Sequence, residues 1–204
     1  TTDLTHAQAQ LEVFDEAFAS LSRRWPGLQR HVSATSGLMT VDRGNALVRT
    51  GIGLYGLYPS QALERSHADL GLRPVLRWAT RLAQVKTIPR GHPVGYGLTY
   101  FASREMTIGI VPQGYADGYD RGLTNTGCVL VRGRRCPVVG RVAMNMFAVD
   151  LSQVPDAAAE DEVVLLGDQG EERITAEEIA ARLGTIHYEV VARISPLLPR
   201  VAGG

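Results

Sequence analysis

Hydrophobic positions recur at intervals of three and four early in the chain. Leu11, Phe14, Phe18 and Leu21 share one helical face, and Thr5 followed by Gln8 has the spacing of a capping box. The pattern predicts a first helix that stops at Trp25-Pro26-Gly27, which cannot continue it. Two short segments follow, His31 to Thr35 and Ala46 to Arg49. Each leads into glycine (Gly37, then Gly51 and Gly53), as parallel strands feeding loops do. The opening is therefore read as α/β. A polar stretch from Ser60 to Asp69 predicts a linker or an exposed helix leading into a second region.

The period changes after Pro74, where Leu76, Trp78, Thr80 and Leu82 alternate with polar or small neighbours, as a half-buried strand requires. Met106 to Val111, Cys128 to Val131, Pro137 to Gly140, Val142 to Leu151 and Val163 to Leu166 are short, aliphatic and separated by turns, and Gln84 to Ile88 reads as a further strand. Together they predict a compact antiparallel β domain. Thr175 with Glu178 sets a second capping box ahead of Ile179 and Leu183, and Gly184 is placed to close that helix. The tail from Ile186 to Val201 alternates like a strand and breaks at Pro196 and Pro199. The expected organisation is residues 1–59, a linker at 60–73 and a β domain at 74–204. The first part holds at most two βα units, whereas a closed barrel of such units needs eight.

Composition narrows the function classes. With 21 basic against 21 acidic residues the formal charge is zero, which argues against nucleic acid and anionic membranes as partners. No apolar run approaches the roughly 18 residues of a membrane span and no leader opens the chain, so a cytoplasmic protein is expected. Cys128 and Cys136 flank Arg132-Gly133, where a hairpin turn is expected; reduced, buried thiols are preferred over a disulfide. The histidines are scattered without zinc spacing, so no metal site is expected. The chain opens Thr1-Thr2-Asp3 without methionine, which suggests a processed or excised piece of something longer.

Tyrosine carries the candidate chemistry. Tyr96 stands between glycines in Val94-Gly95-Tyr96-Gly97-Leu98-Thr99-Tyr100, and such a site makes sense if the backbone bends to project the ring away from the core. An ordinary loop aromatic is the alternative. Tyr115 lies in Pro112-Gln113-Gly114-Tyr115-Ala116-Asp117-Gly118, and Tyr188 in Ile186-His187-Tyr188-Glu189.

Taken in order with Val48-Arg49-Thr50-Gly51-Ile52-Gly53-Leu54-Tyr55-Gly56 and Val139-Gly140-Arg141-Val142-Ala143-Met144-Asn145-Met146, these segments resemble the C-terminal portion of the alanine racemase family. The resemblance covers essentially the whole chain. It implies the tail of a (β/α)8 barrel followed by an antiparallel β domain, pyridoxal 5'-phosphate as cofactor, a homodimer with shared active sites and a small amino-acid substrate. Arg49 would face the pyridine nitrogen; a guanidinium that stays charged can only donate there, which weakens the cofactor as an electron sink. Gly51 and Ile52 would offer N–H groups to the phosphate, with hydroxyls from Thr35 and Tyr188. The family usually has serine at the Thr35 position, and Ser36 is the alternative here. Tyr96 would be the base on the face opposite the cofactor lysine, and a phenol in that role calls for nearby positive charge. Met144 would offer its backbone N–H to the substrate carboxylate. Tyr96, Tyr115 and Met144 would act in the other subunit's site. Tyr115, Arg121, Arg141 and Tyr188 would gate access, with an ordinary solvated surface as the alternative for the two arginines.

Two departures qualify this picture. Aspartate is common after the Met144 position, and this chain has Asn145. The chemistry also needs a lysine bound to the cofactor as a Schiff base, whereas the one lysine here, Lys86, sits in a predicted strand and outside that motif. The lysine half is therefore expected in an N-terminal barrel fragment, without which this chain is expected to be inactive. A broad-specificity racemase of the same fold and a catalytically dead dimerisation or binding module are the competing readings. The joint presence of Arg49, Tyr96, Tyr115, Met144 and Tyr188 argues against the dead module.

Overall fold

Local hydrogen bonding decides where the first elements begin. In the computed structural model, which describes residues 3–41 and 44–203, helix α1 spans Thr5–Arg24. Its start corrects the expected capping box: Thr5 is already helical, and its N–H donates to Asp3 Oδ1 at 3.0 Å. The stop is as expected, with the Trp25 N–H still donating to Leu21 O. Of the predicted stripe Leu11 is buried, Phe14 and Phe18 stack with centroids 6.0 Å apart, and Leu21 is exposed.

The two expected parallel strands shrink to one parallel bridge between Ala34 and Arg49. Side chains take part of the ladder: Asn45 Oδ1 accepts the Val32 N–H at 3.2 Å, and the Arg49 guanidinium donates to His31 O at 3.3 Å and Val32 O at 3.0 Å, while the backbone keeps the bonds from the Leu47 N–H to Arg30 O and from the Arg49 N–H to Ser33 O. Helix α2, Thr35–Thr40, follows the bridge. The polar stretch is a helix, α3 (Gln61–Ser66), capped by Ser60 Oγ accepting from the Leu63 N–H and burying Leu63. Gly56 is required for the return of the chain beside it, since a Cβ there would lie 1.7 Å from Arg73 O.

The chain divides into two compact units after Val75. Among its described residues the second contains eight strands: β1 (Trp78–Arg81), β2 (Gln84–Ile88), β3 (Met106–Val111), β4 (Cys128–Val131), β5 (Arg134–Val139), β6 (Phe147–Asp150), β7 (Glu162–Gln169) and β8 (Glu172–Ile174). Their order is β1-β7-β4-β5-β6-β3-β2, with β8 on β7, and every pairing is antiparallel. Strands β4 and β7 run through the core, where Val129 to Val131 and Val163 to Leu165 are fully buried. The β4–β5 turn puts Arg132 and Gly133 at φ 48° and 71°, the left-handed pair of a tight hairpin. Both cysteines are free thiols. The register explains this: Cys128 opposes Pro137 and Cys136 opposes Val129, so the two are not a cross-strand pair.

Helix α4 (Ala176–Leu183) matches its prediction, with Thr175 Oγ1 accepting the Glu178 N–H and Gly184 left-handed at its end. Two expectations fail. The tail is not a strand, because residues His187–Arg193 form helix α5. Strand β6 is shorter than expected, since residues 143–146 turn instead of pairing. Among the described residues no helix is long and apolar enough to cross a membrane.

Candidate functional site

In the second unit, residues 93–101 form a narrow excursion closed by a Pro93–Phe101 bridge and by the Val94 N–H donating to Tyr100 O at 3.0 Å. Val94 anchors its base in a buried cluster with Ile88, Met106, Ile108 and Val139. At its tip Gly95, Gly97 and Leu98 have φ of 75°, 69° and 48°, which turns the chain sharply and leaves Tyr96 76% exposed. Close packing adds a second demand for glycine. A Cβ on Gly95 would lie 3.1 Å from Arg141 N, and one on Gly97 would lie 3.1 Å from Arg141 Nε. Arg141 therefore packs against the Tyr96 turn. Its Nε is buried and, among the described residues, has no hydrogen-bond partner.

The loop carrying Tyr115 is locked to residues 143–146 by backbone. The Tyr115 N–H donates to Ala143 O at 3.1 Å and the Ala116 N–H to Met144 O at 3.0 Å. Gly114 permits that approach, because a Cβ would sit 2.3 Å from both carbonyl oxygens. These bonds are why the Met144 segment is a loop: its carbonyls serve a neighbouring loop instead of a strand. Asp117 Oδ2 accepts the Gly114 N–H and its backbone oxygen accepts from Ser195, both at 2.9 Å.

As a result Tyr96, Tyr115, Arg121, Arg141, Met144 and Asn145 line one open cleft of about 450 Å³. Two guanidinium groups and no carboxylate line it, so it suits a ligand bearing a carboxylate. Tyr188 lies on α5, its ring 4.8 Å from that of His187, and burial pushes its phenol above the usual range, so it stays neutral. Burial also raises the Cys128 thiol and brings Cys136 up to about 12, which keeps both as neutral thiols. Lys86 is exposed on β2, opposite Ile108.

The first unit gathers the other predicted residues. Thr35 is buried, and its Oγ1 accepts the Gly51 N–H at 3.0 Å, so the N–H expected to meet a phosphate at Gly51 is already taken by Thr35. Ile52 is buried and opens a short 3-10 turn, while the space around a Cβ at Gly51 is open. Arg49 is held beside this loop by its bonds to the His31 and Val32 carbonyls. The sequence reading missed Asn125, whose amide bonds both Thr99 and Gly140.

Known proteins share this arrangement of elements. The family description "Alanine racemase, C-terminal domain" matches residues 75–202, and "Alanine racemase, N-terminal domain" matches residues 1–59. An alanine racemase of Syntrophobacter fumaroxidans is 46% identical over 193 residues, covering 94% of this chain and 51% of the relative. Alanine racemase from D-cycloserine producing Streptomyces lavendulae superposes with a TM-score of 0.87 at 40% identity, over 98% of this chain and 52% of that one. The alanine racemase of Streptomyces coelicolor A3(2) gives 0.85 at 43% identity, over 96% and 51%. The chain thus spans about half the length of the relatives it matches. With the C-terminal description matched across most of its residues and identities above 40%, the chain belongs to the alanine racemase family.

Proposed function

We propose that this chain is the C-terminal portion of a cytoplasmic, pyridoxal 5'-phosphate-dependent racemase that interconverts L- and D-alanine and so supplies D-alanine for peptidoglycan. The observation that carries the reading is the cleft in which a projecting Tyr96 meets Arg141, Arg121 and Met144, in a chain of this family. Residues 1–59 are then the end of the barrel, 60–73 the connection and 74–204 the β domain.

The cofactor fits the residues of the first unit. Thr35 Oγ1 already accepts from Gly51, so its proton is left for a phosphate oxygen, and no side chain crowds the approach at Gly51. Ile52 adds a backbone N–H, Tyr188 keeps the hydroxyl role the resemblance implies, and Arg49 donates to the pyridine nitrogen. When bound, the cofactor supplies an electron sink for the pair left when the Cα proton departs. The remaining work falls to the protein. Arg49 keeps that sink weak by never giving up its proton. Tyr96 takes or returns the Cα proton on one face, with the positive charge of Arg141 packed against its turn. The Met144 backbone N–H receives the substrate carboxylate, and Tyr115, Arg121, Arg141 and Tyr188 restrict access to small amino acids. Tyr96, Tyr115 and Met144 serve the partner subunit of a homodimer. The base on the other face is a lysine outside these 204 residues, so the chain by itself is inactive and works with the N-terminal barrel part.

Asn145 favours a second reading, a broad-specificity racemase of the same fold, because a neutral amide at the cleft leaves its two arginines without a carboxylate. Rates for alanine against amino acids with larger or charged side chains decide between them. For the reaction itself the test is Tyr96→Phe in the complete enzyme. Loss of a positioned base lowers kcat/KM by about 10²- to 10⁴-fold, equally in the two directions because the enantiomers have the same free energy, and unequally in the exchange of the Cα proton with solvent from each enantiomer. Near-parental rates would remove Tyr96 from the mechanism.

A further inference from the structure

The Tyr96 ring lies outside the core, so its direction depends on a turn containing two glycines, the softest backbone available. Something must hold that turn. Its base is fixed at Val94, and Gly95 and Gly97 lean on Arg141, but these are contacts and not directional bonds. Among the described residues, a single side-chain hydrogen bond from outside reaches the backbone of the turn: Asn125 Nδ2 donates to Thr99 O at 3.2 Å. The same amide accepts the Gly140 N–H through Oδ1 at 2.6 Å. One side chain therefore joins the peptide that ends the Tyr96 turn to the peptide preceding Arg141.

Its backbone is bent to allow this. Asn125 has φ 57°, a left-handed conformation that asparagine tolerates better than most residues. Thr124 reinforces the grip, with Oγ1 accepting the Val142 N–H at 3.3 Å and donating to Arg121 O at 2.7 Å. Segment 121–125 thus presents Arg121 to the cleft while holding the two segments that carry Tyr96 and Arg141.

We infer that Asn125 is a positioning residue that sets the distance and direction of Tyr96 relative to Arg141 by joining Thr99 to Gly140. The inference rests on the reading in which Tyr96 is the base. A base displaced by about 1 Å loses up to two orders of magnitude in rate while ground-state binding changes little, so the effect falls on kcat and not on KM.

Asn125→Gly in the complete enzyme removes both bonds and keeps the left-handed backbone at no steric cost. The expected result is a drop in kcat of about tenfold or more, KM within about threefold, and the same imbalance in Cα-proton exchange between the enantiomers as Tyr96→Phe. Added to Tyr96→Phe, it causes little further loss, because its effect passes through the phenol. Asn125→Asp keeps an acceptor for Gly140 but no donor for Thr99, and falls in between. Amide hydrogen exchange should quicken at Gly140 and at residues 97–99, with the β4 and β7 amides unchanged. Parental kcat for Asn125→Gly alongside a slow Tyr96→Phe would overturn the positioning role alone. An equal loss in both backgrounds would also overturn it, since that is general loosening. Parental rates for Tyr96→Phe would instead overturn the underlying reading.

Discussion

Arg49 shows how one residue's surroundings fix its chemistry. Two of its nitrogens are tied to the His31 and Val32 carbonyls, so the guanidinium has little freedom to turn away from whatever lies beside Gly51. As a permanent donor it would hold a pyridine nitrogen unprotonated, whereas a carboxylate at the same place would accept a hydrogen bond from a pyridinium, keep it protonated and strengthen the sink. Arg49→Glu in the complete enzyme should therefore raise side transamination, read as pyruvate formed per racemisation event, while Arg49→Lys keeps the charge and the parental product profile. An unchanged profile for the glutamate variant would sink the assignment. At this scale, a residue was readable when its own neighbours in sequence explained it. Tyr96 announces itself through flanking glycines. Asn125 in Thr-Asn-Thr-Gly reads like any turn, because its partners are 26 and 15 positions away and only the folded chain brings them together.

Elements were readable where the chain buries side chains at a single period. Strands β3 and β4 have the bounds their aliphatic runs predicted, since both lie in the sheet interior. Helix α5 was misread because His187 counts as polar in sequence. It is buried, and His187, Val190, Val191 and Ile194 then form a helical stripe at positions i, i+3, i+4 and i+7. Strand β8 carries Glu172-Arg173-Ile174, with no apolar alternation to mark it. The elements also depend on Tyr119, just after the Tyr115 loop, whose ring stacks on Phe147 at 4.3 Å and meets Trp78 edge-on at 6.2 Å while its hydroxyl donates to Cys128 O. Tyr119→Phe should keep the stacking and cost about 1–2 kcal/mol for the carbonyl left unpaired. Burial also pushes the Tyr119 phenol far above its ordinary value. A raised folded value means this group's stabilisation is complete below about pH 10, where the unfolded phenol ionises, and declines above it. Urea unfolding should therefore show the parent's advantage over Tyr119→Phe at pH 7 shrinking by pH 11; a gap independent of pH would contradict the neutral, buried donor.

For the whole molecule, a shared site would draw its two bases from different subunits. Tyr96, Met144 and Met146 are all more than half exposed and line one cleft. If that cleft completes the site of a partner subunit, each active site takes its tyrosine from one chain and its lysine from the other. Mixing a Tyr96→Phe enzyme with a variant lacking the cofactor lysine then produces heterodimers in which one site carries both defects and the other carries neither. An equal mixture with random pairing yields half heterodimers, each with one sound site of two, and so recovers about one quarter of parental activity from two inactive parents. Tyrosine and lysine drawn from the same chain give the opposite result, because every site in the heterodimer then lacks one of the two bases. Activity measured after subunit exchange, with heterodimers quantified by native mass spectrometry, separates these cases: recovery in proportion to the heterodimer fraction supports the shared site, and heterodimers without recovery place Tyr96 in the site of its own subunit.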